Sequence, residues 1–151
     1  MKAIRVQGTL DSLSTIREYV QAVAAEAGLN ERASYRLVLA ADEFATNIIL
    51  HAYQEAGIDG EIEVWVQIDD QTIRVTLEDQ GAYFDSSKHD VETPIDEPLE
   101  TRQPGGWGIY LALNSVDDYV YKRVKDRNRN TFIIHRHPTD SDADEAAVTA
   151  K

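Results

Sequence analysis

The chain has 151 residues, no cysteine and a formal net charge of -12 at pH 7. This length suits one domain with a substantial core, and the lack of cysteine excludes disulfides and thiolate metal sites. The acidic charge opposes sequence-independent binding to nucleic acid, which requires Lys and Arg to displace counterions. No apolar run approaches a membrane span, and the N-terminus does not resemble a signal peptide. We therefore expect a cytoplasmic protein that contacts neither nucleic acid nor membrane directly.

The first third of the chain predicts a short edge strand followed by two amphipathic helices. Apolar residues recur at helical spacing in both segments. Gly28 and Gly57 are typical residues for ending helices, and Asn30 is a typical N-cap. The predicted spans are 4–10 for the strand, 12–27 for the first helix and 31–56 for the second.

The rest of the chain predicts two β-hairpins separated by a long irregular stretch and a short helix. Alternating apolar residues indicate the strands. The order groups the helices and pairs the strands, which favours an α+β two-layer sandwich with a mostly antiparallel mixed sheet and helices on one face. We expect this domain to span 1–137 and the acidic tail 138–151 to be disordered. The predicted strands are 61–68, 72–77, 117–125 and 131–137, with a polar turn at 126–130, an irregular stretch at 80–106 and a helix at 107–114.

Three polar residues of the second helix share one face. Glu43, Asn47 and His51 are spaced four residues apart. An amide oxygen can ligate a hard cation such as Mg²⁺, and a carboxylate can orient or deprotonate a nucleophile. The same residues could equally form an ordinary solvated helix face.

Asp79 and Gly81 follow the predicted strand 72–77. A carboxylate at a strand end can accept a hydrogen bond from an exocyclic amine, and the nearby glycine leaves room for a flat ring. The amino group of adenine fits this description. The alternative is a common strand-ending turn.

A glycine-rich turn precedes the predicted helix 107–114. Gly105, Gly106 and Gly108 would allow phosphate to approach the free N–H groups at a helix N-terminus, although such a turn is also common without any ligand. The hydroxyl of Thr131 could donate to a ring nitrogen or hold a water beside Asp79. Thr131 could equally be a simple strand former.

The order and spacing of these residues resemble the nucleotide-binding motifs of the GHKL ATPase superfamily. The resemblance covers nearly the whole chain except the tail, and it is greatest to the small single-domain anti-sigma-factor serine kinases. Two residues depart from the usual pattern: Tyr83 stands where many relatives have Pro, and Asn130 stands where Gly is frequent. The residues that carry the resemblance are Asp42, Glu43, Asn47, His51, Ala52, Tyr53, Asp79, Gly81, Phe84, Asp85, Gly105, Gly106, Gly108, Ile109, Tyr110, Leu111 and Thr131.

The resemblance implies a Bergerat fold that binds ATP and Mg. Asn47 would ligate Mg, Glu43 would act as general base on a serine hydroxyl, and Asp79 would bind the amino group of adenine. The stretch 80–104 would be the ATP lid. The remaining implied nucleotide contacts are Gly81 beside the ring, Gly105, Gly106 and Gly108 at the phosphates, and Thr131 behind the base.

The same resemblance implies two protein partners, a sigma factor or similar regulator and a STAS-type anti-sigma antagonist, and it allows a homodimer. The chain would phosphorylate the antagonist on serine or threonine. Three other functions stay open: a non-catalytic ATP-binding module that sequesters a partner, a sensor-kinase catalytic domain, and an acidic mimic of DNA.

Overall fold

The structure is a computed structural model that describes residues 2–85 and 112–136. The described residues contain a five-stranded sheet in which all four strand pairings are antiparallel. The strand order across the sheet is β1-β2-β3-β5-β4. The strands are β1 (Ile4–Gln7), β2 (Glu61–Ile68), β3 (Thr72–Asp79), β4 (Asp118–Val124) and β5 (Arg127–His135).

One face of the sheet packs against the helices. Because side chains alternate between the two faces of a strand, every second residue of β2, β3 and β5 enters the core. The helices contribute their apolar sides to the same cluster, so the architecture has two layers. The fully buried sheet residues of this core are Ile62, Val64, Ile73, Val75, Leu77, Phe132 and Ile134.

Two helices form the second layer. A 3₁₀ turn (Leu10–Ser12) leads into α1 (Leu13–Glu26), and α2 spans Glu31–Asn47. Gly28 has a φ of 76°, as its predicted role in ending α1 requires. The predicted cap of α2 is also confirmed, because Asn30 accepts a hydrogen bond from the N–H of Ala33 at 2.8 Å.

The second helix changes type near its end, which the sequence did not indicate. We expected one α-helix over 31–56, but a π-helical segment (Ile48–Gln54) follows α2 directly. The N–H of Glu55 donates to the carbonyl of Leu50, five residues earlier, at 2.9 Å. Such wide turns occur frequently at functional sites.

The last hairpin differs from the prediction in a way that affects the site. β5 begins at Arg127, so most of the predicted turn 126–130 belongs to the strand. The tight turn lies instead at Lys125 and Asp126, and Lys125 has a positive φ of 58°. Tight hairpin turns require such backbone angles.

Several expectations fall on residues that the structure does not describe. The predicted helix 107–114 is described only from 112 onward, where 112–115 is helical. Most of the proposed lid and the whole tail 138–151 also lie outside the described residues. Within 2–85 and 112–136, no helix is long and apolar enough to cross a membrane.

Candidate functional site

Asp79 ends β3 on the helix-facing side of the sheet, and it is 1% exposed. Its Oδ1 atom accepts hydrogen bonds from the N–H of Gly81 and from Nδ2 of Asn128, both at 2.9 Å. Its Oδ2 atom is buried and has no hydrogen-bond donor in the described part of the chain. One oxygen of this carboxylate is therefore saturated, and the other is an open acceptor.

Burial raises the pKa of Asp79 from 3.8 to about 6. The hydrogen bonds from Asn128 and Gly81 and the charge of Arg123 act in the opposite direction, and the charge of Glu78 adds a smaller rise. A buried acceptor without a partner is costly to the fold. The site can relieve that cost by binding a ligand that donates a hydrogen bond to Oδ2, as an exocyclic amine does.

The turn after Asp79 packs closely against the end of the helical layer. A Cβ atom on Gly81 would lie 2.5 Å from the carbonyl oxygen of Ala52, so only glycine fits there without a shift. The same carbonyl accepts a hydrogen bond from the N–H of Ala82 at 2.9 Å. The π-helical segment thus sets the position of the turn.

Tyr53 of the π-helical segment fixes the start of this turn. Its hydroxyl donates to the carbonyl of Glu61 at 2.5 Å and accepts from the N–H of Gln80 at 2.9 Å. Its ring occupies space that a Cβ on Gly8 or Gly60 would enter, at 2.6 Å and 2.7 Å respectively. The sequence motif contained Tyr53 but gave it no role, because its partners are distant backbone groups.

Glu43 and Asn47 lie one turn apart at the C-terminal end of α2. Asn47 is 4% exposed, so its amide belongs to the interior of the domain and not to a solvated helix face. Burial raises the pKa of Glu43, and the charge of neighbouring Asp42 raises it further. A raised pKa brings a carboxyl closer to the range in which it exchanges protons at neutral pH.

His51 connects the helical layer with the loop after β3. Its ring stacks on Phe84 with centroids 4.8 Å apart and an interplanar angle of 20°. Its Nδ1 atom lies 2.9 Å from a carboxylate oxygen of Glu55. Through this ring contact, the helix that carries Glu43 and Asn47 meets the loop that follows Asp79.

Thr131 does not lie beside Asp79. It stands directly opposite Thr76 in the β3–β5 pairing, and the two hydroxyl oxygens are 3.0 Å apart. Thr76 is three positions from Asp79 along β3, so the two side chains point to opposite faces of the sheet. The structure therefore places Thr131 on the face away from the helices.

Asn128 occupies the place beside Asp79 that we expected Thr131 to hold. It lies opposite Asp79 in the β3–β5 register and is 1% exposed. We missed it because the polar run 126–130 predicted a turn. The alternation of Phe132 and Ile134 on the buried face, continued backward by twos, would have reached Asn128.

The predicted phosphate-binding residues Gly105, Gly106 and Gly108 lie outside the described residues. The described part of the site therefore consists of the Asp79 corner with its turn, and the Glu43–Asn47 end of α2.

A comparison with known families decides the classification. The model of the histidine kinase-like ATPase domain matches residues 6–134. The chain belongs to this family. The superfamily and the two-layer α+β fold predicted from the sequence are both confirmed.

Individual proteins with similar sequences or folds include named serine-protein kinases and histidine kinases. The chain is 28% identical over 123 residues to proteins of Staphylococcus aureus named serine-protein kinase RsbW, covering 79% of this chain and 77% of theirs. Among solved structures, the RsbU and RsbW domains of a Mycobacterium tuberculosis protein match 90% of this chain with a TM-score of 0.57 and 16% identity. A blue-light activated histidine kinase of Erythrobacter litoralis matches 87% with a TM-score of 0.53 and 15% identity. This chain spans only 33% and 42% of those two structures, and at such identities they show the fold alone.

Proposed function

We propose that this protein is an ATP-dependent serine/threonine kinase of the anti-sigma-factor type, with its kinase domain in residues 1–137. The observation that carries the nucleotide assignment is the buried, unpartnered Oδ2 of Asp79 beside Gly81. This pair offers an acceptor for the adenine amino group and a turn without a side chain. The family of ATPase domains to which the chain belongs supports ATP as the ligand.

Asn47 is the residue that would hold Mg. Its amide oxygen is a hard ligand, and it lies in the interior at the end of α2. A single amide oxygen fits a cation such as Mg, which usually takes most of its ligands from substrate phosphates and water. Mg-ATP, when bound, supplies the phosphoryl group for transfer.

Glu43 is the proposed general base. Its raised pKa follows from burial, and its position one turn from Asn47 places it next to the proposed metal ligand. In the transfer it would accept the proton of the incoming serine hydroxyl. Positioning and charge neutralisation contribute most of the remaining catalysis in phosphoryl transfer.

The proposed protein substrate is a STAS-type anti-sigma antagonist, and the proposed binding partner is a sigma factor or a similar regulator. The name of the Staphylococcus aureus relatives, serine-protein kinase, supports a protein substrate that is phosphorylated on serine. The STAS-type antagonist and the sigma factor are what the sequence resemblance implies. A homodimer is compatible with this proposal.

The experiment combines labelled ATP, Mg and a STAS-domain protein from the same genome, and measures phosphoserine and ATP affinity. Wild type should transfer phosphate, and Glu43→Gln should reduce transfer by about 10²–10⁴-fold. ATP affinity should stay nearly unchanged, because the base acts on the incoming hydroxyl. Glu18→Gln, a substitution on the exposed side of α1, is the matched control and should transfer normally.

Two outcomes would contradict this proposal. Unchanged transfer by Glu43→Gln would show that Glu43 is not the base. Tight ATP binding by wild type without transfer to any STAS protein would favour the non-catalytic binding module.

A further inference from the structure

The side-chain amide of Asn128 is the centre of a buried hydrogen-bond network. Its Nδ2 atom donates to Oδ1 of Asp79 at 2.9 Å and to the carbonyl of Ala82 at 2.8 Å. Its Oδ1 atom accepts from the hydroxyl of Tyr121 at 2.6 Å and from Nη1 of Arg123 at 3.1 Å. Both donors of the amide are therefore used, and so are both lone pairs of its oxygen.

These partners permit only one orientation of the amide. The guanidinium of Arg123 can only donate, so it requires the oxygen of Asn128 on its side. The carbonyl of Ala82 can only accept, so it requires the NH₂ group on the other side. The N–H of Phe84 also points to the oxygen, at 3.3 Å. A flipped amide would lose each of these contacts.

The fixed amide makes the two oxygens of Asp79 inequivalent. Oδ1 is held by two donors, Nδ2 of Asn128 and the N–H of Gly81. A partial rotation of the carboxylate would break these bonds and leave buried donors unpaired, which is costly. A half-turn only exchanges the labels of two chemically equivalent oxygens. In either arrangement one oxygen is saturated and the other is the open acceptor of the site.

The same network connects the sheet to the turn beside which the adenine ring of the nucleotide would lie. Asn128 bonds Ala82 and Phe84, and Arg123 donates to the carbonyl of Gly81 at 3.2 Å. From the side of the sheet, Asn128 of β5 thus contacts both Asp79 and the turn, and Arg123 of β4 adds a second contact to the turn.

We propose that Asn128 is a specificity-determining positioning residue, which holds Asp79 so that a single oxygen recognises the 6-amino group of a purine nucleotide. This inference rests on the proposed function. A 6-amino purine donates an N–H to Oδ2. A 6-oxo purine presents a carbonyl oxygen there, and two acceptors repel each other. Asn128 never touches the nucleotide in this scheme; it acts through Asp79.

The test compares the dissociation constants of ATP and inosine triphosphate, which carries an oxygen in place of the 6-amino group. Calorimetry or fluorescence titration in Mg buffer can measure both. Wild type should favour ATP by about 10–100-fold, the value of one hydrogen bond to a charged group. Asn128→Ser and Asn128→Ala should reduce that preference by about fivefold or more, because Asp79 can then turn and admit water.

Asn130→Ala is the matched control. Asn130 lies two residues along β5 on the same face, is equally buried, and bonds the hydroxyl of Tyr119, outside the Asp79 network. It should lower the affinities for both nucleotides, if at all, by the same factor. The decisive quantity is the ratio of the dissociation constants of inosine triphosphate and ATP. A purely structural role of Asn128 would weaken the binding of both nucleotides by the same factor and leave this ratio unchanged.

Tyr121→Phe provides a milder perturbation in case both Asn128 variants fail to fold. It removes one hydroxyl that holds the amide oxygen, and it should still reduce the ATP preference measurably. An unchanged ratio in the folded Asn128 variants, or in Tyr121→Phe when those do not fold, would overturn the inference. Equal binding of both nucleotides by wild type would overturn it while leaving ATP binding intact. Binding of neither nucleotide would overturn the proposed function as well.

Discussion

Replacement of Asp79 by Asn should stabilise the nucleotide-free protein while it abolishes ATP binding. The carboxylate of Asp79 is buried, and one of its oxygens has no donor in the described ranges. A neutral amide of the same shape is less costly to bury than a charged carboxylate. In Asp79→Asn the amide oxygen is held at the Oδ1 position by the N–H of Gly81 and Nδ2 of Asn128. The NH₂ group then stands where the adenine amino group requires an acceptor, and two donors repel each other. Stability and function therefore oppose each other at this position.

The size of the effect follows from the pKa of Asp79. Because the folded pKa is about 6 and the ordinary value is 3.8, the folded state retains its proton over a pH range in which the unfolded state has lost it. The contribution of Asp79 to the free energy of unfolding is therefore most favourable below pH 3.8, and it is lost as the pH rises through 6. The difference between these two pKa values corresponds to ~3 kcal/mol at pH 7 and to about half of that at pH 5. The stability advantage of Asp79→Asn should thus shrink by about half between pH 7 and pH 5.

Urea unfolding of both proteins at pH 7 and pH 5, without nucleotide, measures this difference. Asp69→Asn is the control with the opposite sign. Asp69 is exposed and accepts hydrogen bonds from the N–H groups of Gln71 and Thr72, which lower its pKa. Its stabilising contribution is lost only as the pH falls through this lowered pKa, which lies below pH 5. Asp69→Asn should therefore destabilise the protein by the same amount at pH 7 and at pH 5. A stability difference for Asp79→Asn that does not change with pH would refute the proposed state of Asp79.

Two further substitutions test the helical side of the site. In wild type, ATP should raise the melting temperature, and part of this rise should depend on Mg. Asn47→Ala should remove the Mg-dependent part, because it deletes the proposed hard ligand. Equal stabilisation of both proteins by Mg-ATP would count against this assignment. Tyr53→Phe should lower the free energy of unfolding by about 1–3 kcal/mol and weaken ATP binding, because the Glu61 carbonyl and the Gln80 N–H lose their shared partner. Tyr35→Phe, on a side chain that is 68% exposed, should leave both quantities unchanged.

Sequence reasoning succeeded where local chemistry determines the structure. The Asn30 cap and the Gly28 terminator act on backbone groups within a few residues, so their roles are visible in the sequence. Strand alternation in 61–68 and 72–77 similarly gave the hairpin of β2 and β3, although β3 extends two residues further to Asp79. Each of these signals is contained in one short segment.

Sequence reasoning failed where contacts between distant residues override the conformation that the local sequence prefers. The polar run 126–130 has the composition of a turn, yet Asn128 and Asn130 lie buried inside β5. Their hydrogen bonds reach Asp79, Tyr119 and Tyr121, and these partners satisfy amides that would otherwise be costly to bury. The sequence does not contain that information without the pairing register of the sheet.

The π-helical segment shows the same dependence on the rest of the fold. Its carbonyl at Ala52 and its hydroxyl at Tyr53 hold the turn after Asp79 from the helical layer. Asn128 holds that turn from the sheet. Because both layers fix three consecutive residues, the turn cannot relax to give Oδ2 of Asp79 a donor. A local conflict that the surrounding structure maintains in this way is what physical reasoning expects at a binding site and not in a structural core. The unpaired oxygen of Asp79 is thus a consequence of the whole architecture, and it is the strongest reason to place the ligand there.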